Sequence, residues 1–247
     1  MPAPAAAPVA RAGEADADLV ITRDALRDGS VFRTLRATAP PGYTWRSEEE
    51  LVATLEATLA GHDPDEDLHL FGYGSLMWNP AIDYADAARA DVRGWTRKFC
   101  LWLMNGRGSP EAPGLMLALD RSAGPDDGCT GLAFRIRAAC VRDELQLVWR
   151  REMGTGAYEA QWIDATIDGR PGRVLTFVAN RTHPRYAGDL PDVEIARAIA
   201  RARGQLGSCI GYFRSMADTL ERHRIEDLSM RRLAAALHDL GDANRLG

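Results

Sequence analysis

No stretch of this 247-residue chain reaches the roughly 18 consecutive apolar residues of a membrane-crossing helix, so no membrane span is expected. Positive charge is not in surplus either: 30 Lys and Arg stand against 35 Asp and Glu, a formal net charge of −5. A clustered basic face for nucleic acid is therefore not expected. The four cysteines, Cys100, Cys129, Cys140 and Cys209, form no C-x-x-C pair, and the five histidines form no H-E-x-x-H. Nothing here supports a metal site, and the thiols read as buried or half-buried groups of a protein in the reducing cytoplasm. Residues 1–17 are rich in Ala and Pro but lack a basic start followed by an apolar run, which argues against a secretory signal. Residues 1–20 are expected to be a flexible tail.

What is present is ordinary globular composition, 46% hydrophobic and 26% charged, over a length that can bury a core. Helical pieces are predicted near residues 23–37 and 47–60, separated by Pro40-Pro41-Gly42; together they make a helical N-terminal extension over residues 21–66. Ser47 before Glu48, Glu49 and Glu50 suits a helix start. From Leu68 the texture changes to strands, expected at 68–73, 92–103, 114–119 and 129–136. A helix follows over 139–153, then a hairpin, 160–167 and 173–178, around Asp168-Gly169-Arg170-Pro171. Residues 193–240 read as helical, with a bend at Gly204 and Gly207. There is no internal repeat and no mid-chain linker. Residues 67–245 therefore read as one α+β domain, helices packed around a curved sheet or small barrel.

Two features carry chemistry. Phe71-Gly72-Tyr73-Gly74-Ser75-Leu76 follows a predicted strand, and its alternating glycines permit close backbone approach. The N–H groups of such a turn can face an anion. It is neither a dinucleotide fingerprint, since Met77 stands where the third glycine belongs, nor a P-loop, nor a G-x-S-x-G elbow. By itself it is as well read as a plain strand-end turn. The second feature is Glu152. In the predicted helix Val141, Leu145 and Val148 form one apolar stripe, and the next position of that series is a glutamate. Partial burial would raise its pKa and suit it to general acid–base work. The alternative is a helix end where Glu152 pairs with Arg150 or Arg151. Trp78, Trp95, Trp102 and Trp149 read as core, and residues 107–114, with two prolines, as a shaped loop, structural or covering the site.

These residues, taken in order, resemble a known family. The loop from Phe71 to Leu76, then Gly94-Trp95-Thr96-Arg97-Lys98-Phe99, the stretch from Arg107 to Gly114, and Arg151-Glu152 with Tyr158 after it are similar to ChaC-type γ-glutamylcyclotransferases. The resemblance runs from about Leu68 to Leu220. It implies a small mixed β-barrel with surrounding helices, and cleavage of a γ-glutamyl peptide, typically glutathione, to 5-oxoproline and the free amine. It implies a substrate loop from Phe71, Gly72, Tyr73, Gly74, Ser75 and Leu76, Glu152 as catalytic acid/base, and Tyr212 as the tyrosine that a late helix brings to the site. No cofactor or metal is implied, and the partner is a small γ-glutamyl molecule. Three positions depart from the family pattern: Gly106 where a histidine is common, Leu206 where a serine is, and Cys209 where an asparagine is. They bear on which γ-glutamyl compound is preferred.

The chemistry fits the residues. The substrate's own α-amine attacks its own γ-carbonyl, so the protein need only fold the substrate, stabilise charge and move one proton. Other readings are a different γ-glutamyl amine or amide, a non-catalytic binding module on the same fold, and a Ser or Cys acyl hydrolase. The last needs a nucleophile with a histidine in reach, and no histidine lies beside Ser75 or any cysteine in a known arrangement.

Overall fold

A computed structural model describes residues 18–124 and 127–243; the bulk of the expected tail, residues 1–17, lies outside them. Three helices come first, α1 (Arg23–Arg27), α2 (Ser30–Ala37) and α3 (Glu48–Leu59). The first predicted helix is broken in two because Gly29 adopts a left-handed φ of 72°, and Asp28 restarts the chain by accepting the N–H of Ser30 at 2.8 Å. Ser47 closes a capping box on α3: its hydroxyl accepts the Glu50 N–H at 3.2 Å while Glu50 accepts the Ser47 N–H at 2.7 Å.

The barrel is built from β1 (Leu68–Gly72), β2 (Asp86–Arg93), β5 (Gly128–Ile136), β6 (Tyr158–Ile167) and β7 (Arg170–Ala179), with β3 (Trp95–Leu103) and β4 (Gly114–Arg121) added beside β7. Strand order β1-β5-β2-β6-β7 closes on itself, because Leu70 of β1 pairs with Leu175 of β7. That pairing and β4 with β7 are parallel and the others antiparallel, so the barrel is mixed. It is the small barrel with surrounding helices that the family resemblance implies.

The predicted hairpin turn is in place: Asp168 and Gly169 both take positive φ, 47° and 78°, the two-residue geometry that matches strand twist. The single strand expected over 92–103 is instead a tight turn between two strands. Gly94, at φ 73°, reverses the chain, and β2 continues back to Asp86. In β2 only Ala90 and Val92 are fully buried, too thin an apolar signal to stand out.

Helix α4 (Val141–Met153) packs against the barrel, and the C-terminal third holds α5 (Asp192–Arg201), a two-residue ladder of β8 (Arg203–Gly204) with β9 (Gly207–Ser208), α6 (Cys209–Arg222) and α7 (Leu228–Ala243). None of the described helices is long and apolar enough to cross a membrane. The N-terminal helices are pinned to α4. Arg23 grips the buried Glu144 through both guanidinium nitrogens, and the same carboxylate accepts the Asp83 N–H at 2.9 Å. Helix α3 is fixed by Trp149, whose indole donates to Thr54 at 3.0 Å, and by Trp162, which donates to the Thr58 carbonyl at 3.0 Å.

Candidate active site

Glu152 stands on the last turn of α4. Val141, Leu145 and Val148 are buried as the stripe requires, and the Glu152 side chain keeps 14% exposure. It lines two adjoining hollows. One is an inner chamber of about 20 Å³, water-sized, walled by Gly74, Leu76, Leu117 and Phe177 among others. The other is a cavity of about 310 Å³ that opens outward. Ser75, Glu152, Tyr158 and Tyr212 face both.

The two readings of Glu152 are both realised. It faces the hollows, and Arg151 Nε lies 3.0 Å from its Oε1. Successive helical residues point about 100° apart, so this contact requires the long arginine to curl over. The curl has a cause: Arg151 Nη1 donates to the Asn79 carbonyl at 2.6 Å and Nη2 to the Ser75 hydroxyl at 2.7 Å. One guanidinium thus ties the glutamate to the glycine loop. Burial pushes the Glu152 carboxyl above the ordinary glutamate range, with Arg151 pulling the other way.

A raised folded-state pKa means that the unfolded chain gives up this proton first. The stabilisation present below the unfolded pKa is then lost as pH rises through the folded one. Glu152→Gln removes that penalty. Its melting temperature should exceed that of the wild type by a few degrees at pH 8, where ~1 kcal/mol moves a domain of this size about 2–4 °C. The difference should vanish near pH 4. A variant that melts lower at pH 8 would show the carboxylate to be stabilising.

The glycine loop turns sharply after β1: the N–H groups of Met77 and Asn79 bond the carbonyls of Gly74 and Ser75, both at 2.9 Å. The N–H groups of Ser75 and Leu76 take no partner among the described residues and are free for an oxyanion or carboxylate. Gly74 lies close to Tyr212: a Cβ there would stand 3.3 Å from the Tyr212 hydroxyl, which would have to give by a few tenths of an ångström.

Not all of the expected loop residues reach a cavity. Side chains alternate along β1, so Leu70 joins the main core while Phe71 turns into a second one, fully buried and 6.3 Å from the Tyr73 ring. Gly72 lies in the ladder opposite Leu132, with Leu76 and Phe134 atoms 3.1 Å from where a Cβ would be. Both shape the loop from behind; neither lines a hollow. Tyr73 borders the inner chamber, yet its hydroxyl donates to the Phe177 carbonyl at 2.6 Å. Tyr158 likewise donates to the Leu117 carbonyl at 2.7 Å. With their single protons committed, these two phenols can only accept. Burial raises the pKa of Tyr73, Tyr158 and Tyr212, so all three are neutral. Tyr212, on α6, has Trp78 edge-on at 5.2 Å and the Arg107 guanidinium 5.3 Å from its ring centroid. Trp95 and Trp149 are core, but Trp78 lines the larger cavity.

The departures from the family pattern fall into two kinds. Gly106 and Leu206 line the larger cavity and are matched to each other: a Cβ on Gly106, which sits at φ 80°, would meet Leu206 Cδ1 at 3.1 Å. Cys209 lies behind the cavity wall, where its buried thiol faces the Arg107 carbonyl at 3.2 Å. Burial lifts the thiols of Cys100 and Cys129 to about 12 and about 11, so neither is a thiolate near neutral pH.

The sequence reading missed a whole wall. Asp18, Leu19, Ile21, Phe32, Tyr43 and Trp45 line the larger cavity, together with Asn79 and Arg185. Asp18 and Leu19, expected in the tail, are held by Arg203 at 2.8 Å and by the Gln205 carbonyl at 2.6 Å. No local pattern marks these residues; they meet only in space.

A family model described as ChaC-like protein matches residues 68–240. A glutathione-specific gamma-glutamylcyclotransferase from Escherichia coli (strain K12) is 36% identical over 222 residues, spanning 90% of this chain and 94% of its own. That span takes in most of the residues before Leu68 as well. The Schizosaccharomyces pombe protein of the same name is 30% identical over 174 residues, 65% of this chain and 85% of its own. In fold, the chain is similar to a yeast γ-glutamyl cyclotransferase specific to glutathione, with a TM-score of 0.65 at 18% identity, covering 70% of this chain and 96% of that one. By the match over residues 68–240 and the identity to these relatives, the chain belongs to the ChaC-like family.

Proposed function

We propose that this protein is a γ-glutamylcyclotransferase that cleaves glutathione to 5-oxoproline and cysteinylglycine, with Glu152 as the acid/base. The observation that carries the reading is a carboxylate held at the bottom of a cavity, raised in pKa by burial, and tied by one arginine to a loop with two free N–H groups. The names and identities of the relatives point to the same reaction and the same peptide.

The inner chamber takes the γ-carbonyl end. The neutral α-amine attacks the γ-carbon, the new C–N bond closes a five-membered ring, and the carbonyl oxygen gains negative charge. The Ser75 and Leu76 N–H groups stabilise that charge. Ionised Glu152 takes the proton that the attacking nitrogen loses and returns it to the leaving nitrogen as the old amide bond breaks. Tyr73 and Tyr158 accept from substrate N–H groups, and Tyr212, whose hydroxyl is not committed to a carbonyl, can donate. The other site assignments, at Tyr73, Gly74, Ser75, Leu76 and Tyr212, belong to this proposal, while Phe71 and Gly72 support the loop.

A base that must be ionised loses its function below its own pKa. An attacking amine must likewise be neutral, so with glutathione as substrate and 5-oxoproline read by mass spectrometry kcat/KM should fall tenfold per pH unit below about pH 8, and steepen toward a hundredfold per unit once Glu152 also protonates. That second break should lie above the range of an ordinary glutamate. A limb that stays at tenfold per unit down to pH 4 would remove Glu152 from the base role. Absence of 5-oxoproline from glutathione and from other γ-glutamyl peptides would leave a binding module instead.

A further inference from the structure

The larger cavity contains a charged group that the cyclisation does not use. Arg185, on the loop after β7, is only 9% exposed, and its carbonyl is fixed by the Trp102 N–H at 2.8 Å. Its two terminal nitrogens donate to the hydroxyls of Tyr43 and Thr155, both neutral. The guanidinium lies 4.9 Å from the Tyr43 ring centroid. Its Nε is buried with no hydrogen-bond partner, and no Asp or Glu among the described residues pairs with it. A buried cation in native proteins is ordinarily matched by an anion, and a guanidinium is shaped for a carboxylate.

The position says which carboxylate. Thr155 is three residues past Glu152, and Arg185, Thr155 and Glu152 line the same cavity. Arg107, which also pairs with no carboxylate among the described residues, stands against Tyr212, a wall of the inner chamber. Arg185 lines the larger cavity but not the inner chamber, and is held there by Tyr43 from the N-terminal wall. Two residues of extended peptide span about 7 Å, so a leaving dipeptide carries its terminal carboxylate well away from the reacting carbon.

We propose that Arg185, held by Tyr43 and Thr155, is the subsite for the terminal carboxylate of the leaving peptide. This rests on the reading of the cavity as a γ-glutamyl peptide site. It makes the protein selective for substrates whose leaving group is a dipeptide acid, such as glutathione, over those ending in an uncharged group.

The probes are glutathione and its C-terminal amide. In the wild type, kcat/KM for the amide should be about 10- to 100-fold lower, mostly through KM. In Arg185→Gln the two substrates should agree within about threefold, because glutathione gets worse while the amide changes little. A wild type that treats acid and amide alike overturns the proposal, as does a folded Arg185→Gln that keeps the full gap. Should Arg185→Gln not fold, Tyr43→Phe leaves the cation but removes its hydroxyl, and the gap should narrow severalfold; an unchanged gap overturns the proposal. A binding measurement separates this from the reaction itself. Using Glu152→Gln as a non-reacting receptor, glutathione should raise the melting temperature at a concentration at least tenfold below that needed for the amide. Equal effects, or none, overturn the subsite even if turnover is never seen. Production of 5-oxoproline without any discrimination sinks the subsite and leaves the reaction standing.

Discussion

Glu152→Gln should fold, bind substrate and turn over glutathione on the order of 10³-fold more slowly than the wild type. The change replaces one oxygen by an amide nitrogen, and the pocket around it is set by other residues, Gly74, Ser75, Leu117 and Phe177 among them. What is lost is the proton shuttle, and general acid–base assistance is typically worth about 10²–10⁴ in rate. The loss should appear in kcat, since the remaining cavity still holds the peptide. Activity within tenfold of wild type would end the assignment of Glu152, because among the described residues no other carboxylate borders the inner chamber.

The second large effect is expected at Arg151. Its guanidinium touches the Glu152 carboxylate, the Ser75 hydroxyl and the Asn79 carbonyl, and its side chain is 6% exposed. Arg151→Gln releases the glycine loop and leaves a buried carboxylate without its cation. Breaking such a pair costs about 3–5 kcal/mol, here limited because the carboxylate can take up a proton instead. A fall in melting temperature of roughly 10 °C is expected at pH 8 and less at pH 5. Catalysis should fall about 10²-fold or more, since Glu152 without Arg151 is harder to ionise and the loop N–H groups are no longer aimed. The double variant Arg151→Gln, Glu152→Gln should recover more stability at pH 8 than Glu152→Gln gains on its own, because the carboxylate then removed has lost its cation. Strict additivity in that cycle would mean that the two side chains act independently despite their contact.

How much of this was legible beforehand depends on the range over which each signal acts. The stripe of Val141, Leu145 and Val148 repeats every helical turn, so it exposed both α4 and the odd glutamate at its end. The Asp168-Gly169 turn and the Ser47 cap are fixed by their own few residues and were equally visible. The strand β2 was not, because Asp, Arg and Ala fill most of its exposed positions and its hydrogen bonds come from β5 and β6. Gly94 sat inside an apolar, aromatic-rich run that hid the reversal. Closure of the barrel rests on the pairing of Leu70 with Leu175, more than a hundred residues apart, which no local pattern encodes. At the site, the family resemblance pointed to Tyr73–Leu76, Glu152 and Tyr212. The same resemblance included Phe71 and Gly72, whose facing is decided by strand alternation. Tyr43 with Trp45, Arg151 as a strut, and Arg185 come from three separated segments, and only the folded chain puts them together.

The cavity has a divided origin. The groups proposed to hold the substrate and move the proton come from the barrel, α4 and α6. The roof over the outer end comes largely from residues 18–45, clamped in place by Arg23 on Glu144 and by Asn105 on the Leu35 carbonyl at 2.7 Å. Sequence drift in that roof can therefore retune which amine is released while leaving the machinery of ring closure untouched. Changes of substrate within such a lineage should be sought in that segment and in its partners across the cavity, Gly106, Leu206, Thr155 and Arg185, rather than at Glu152 and the glycine loop.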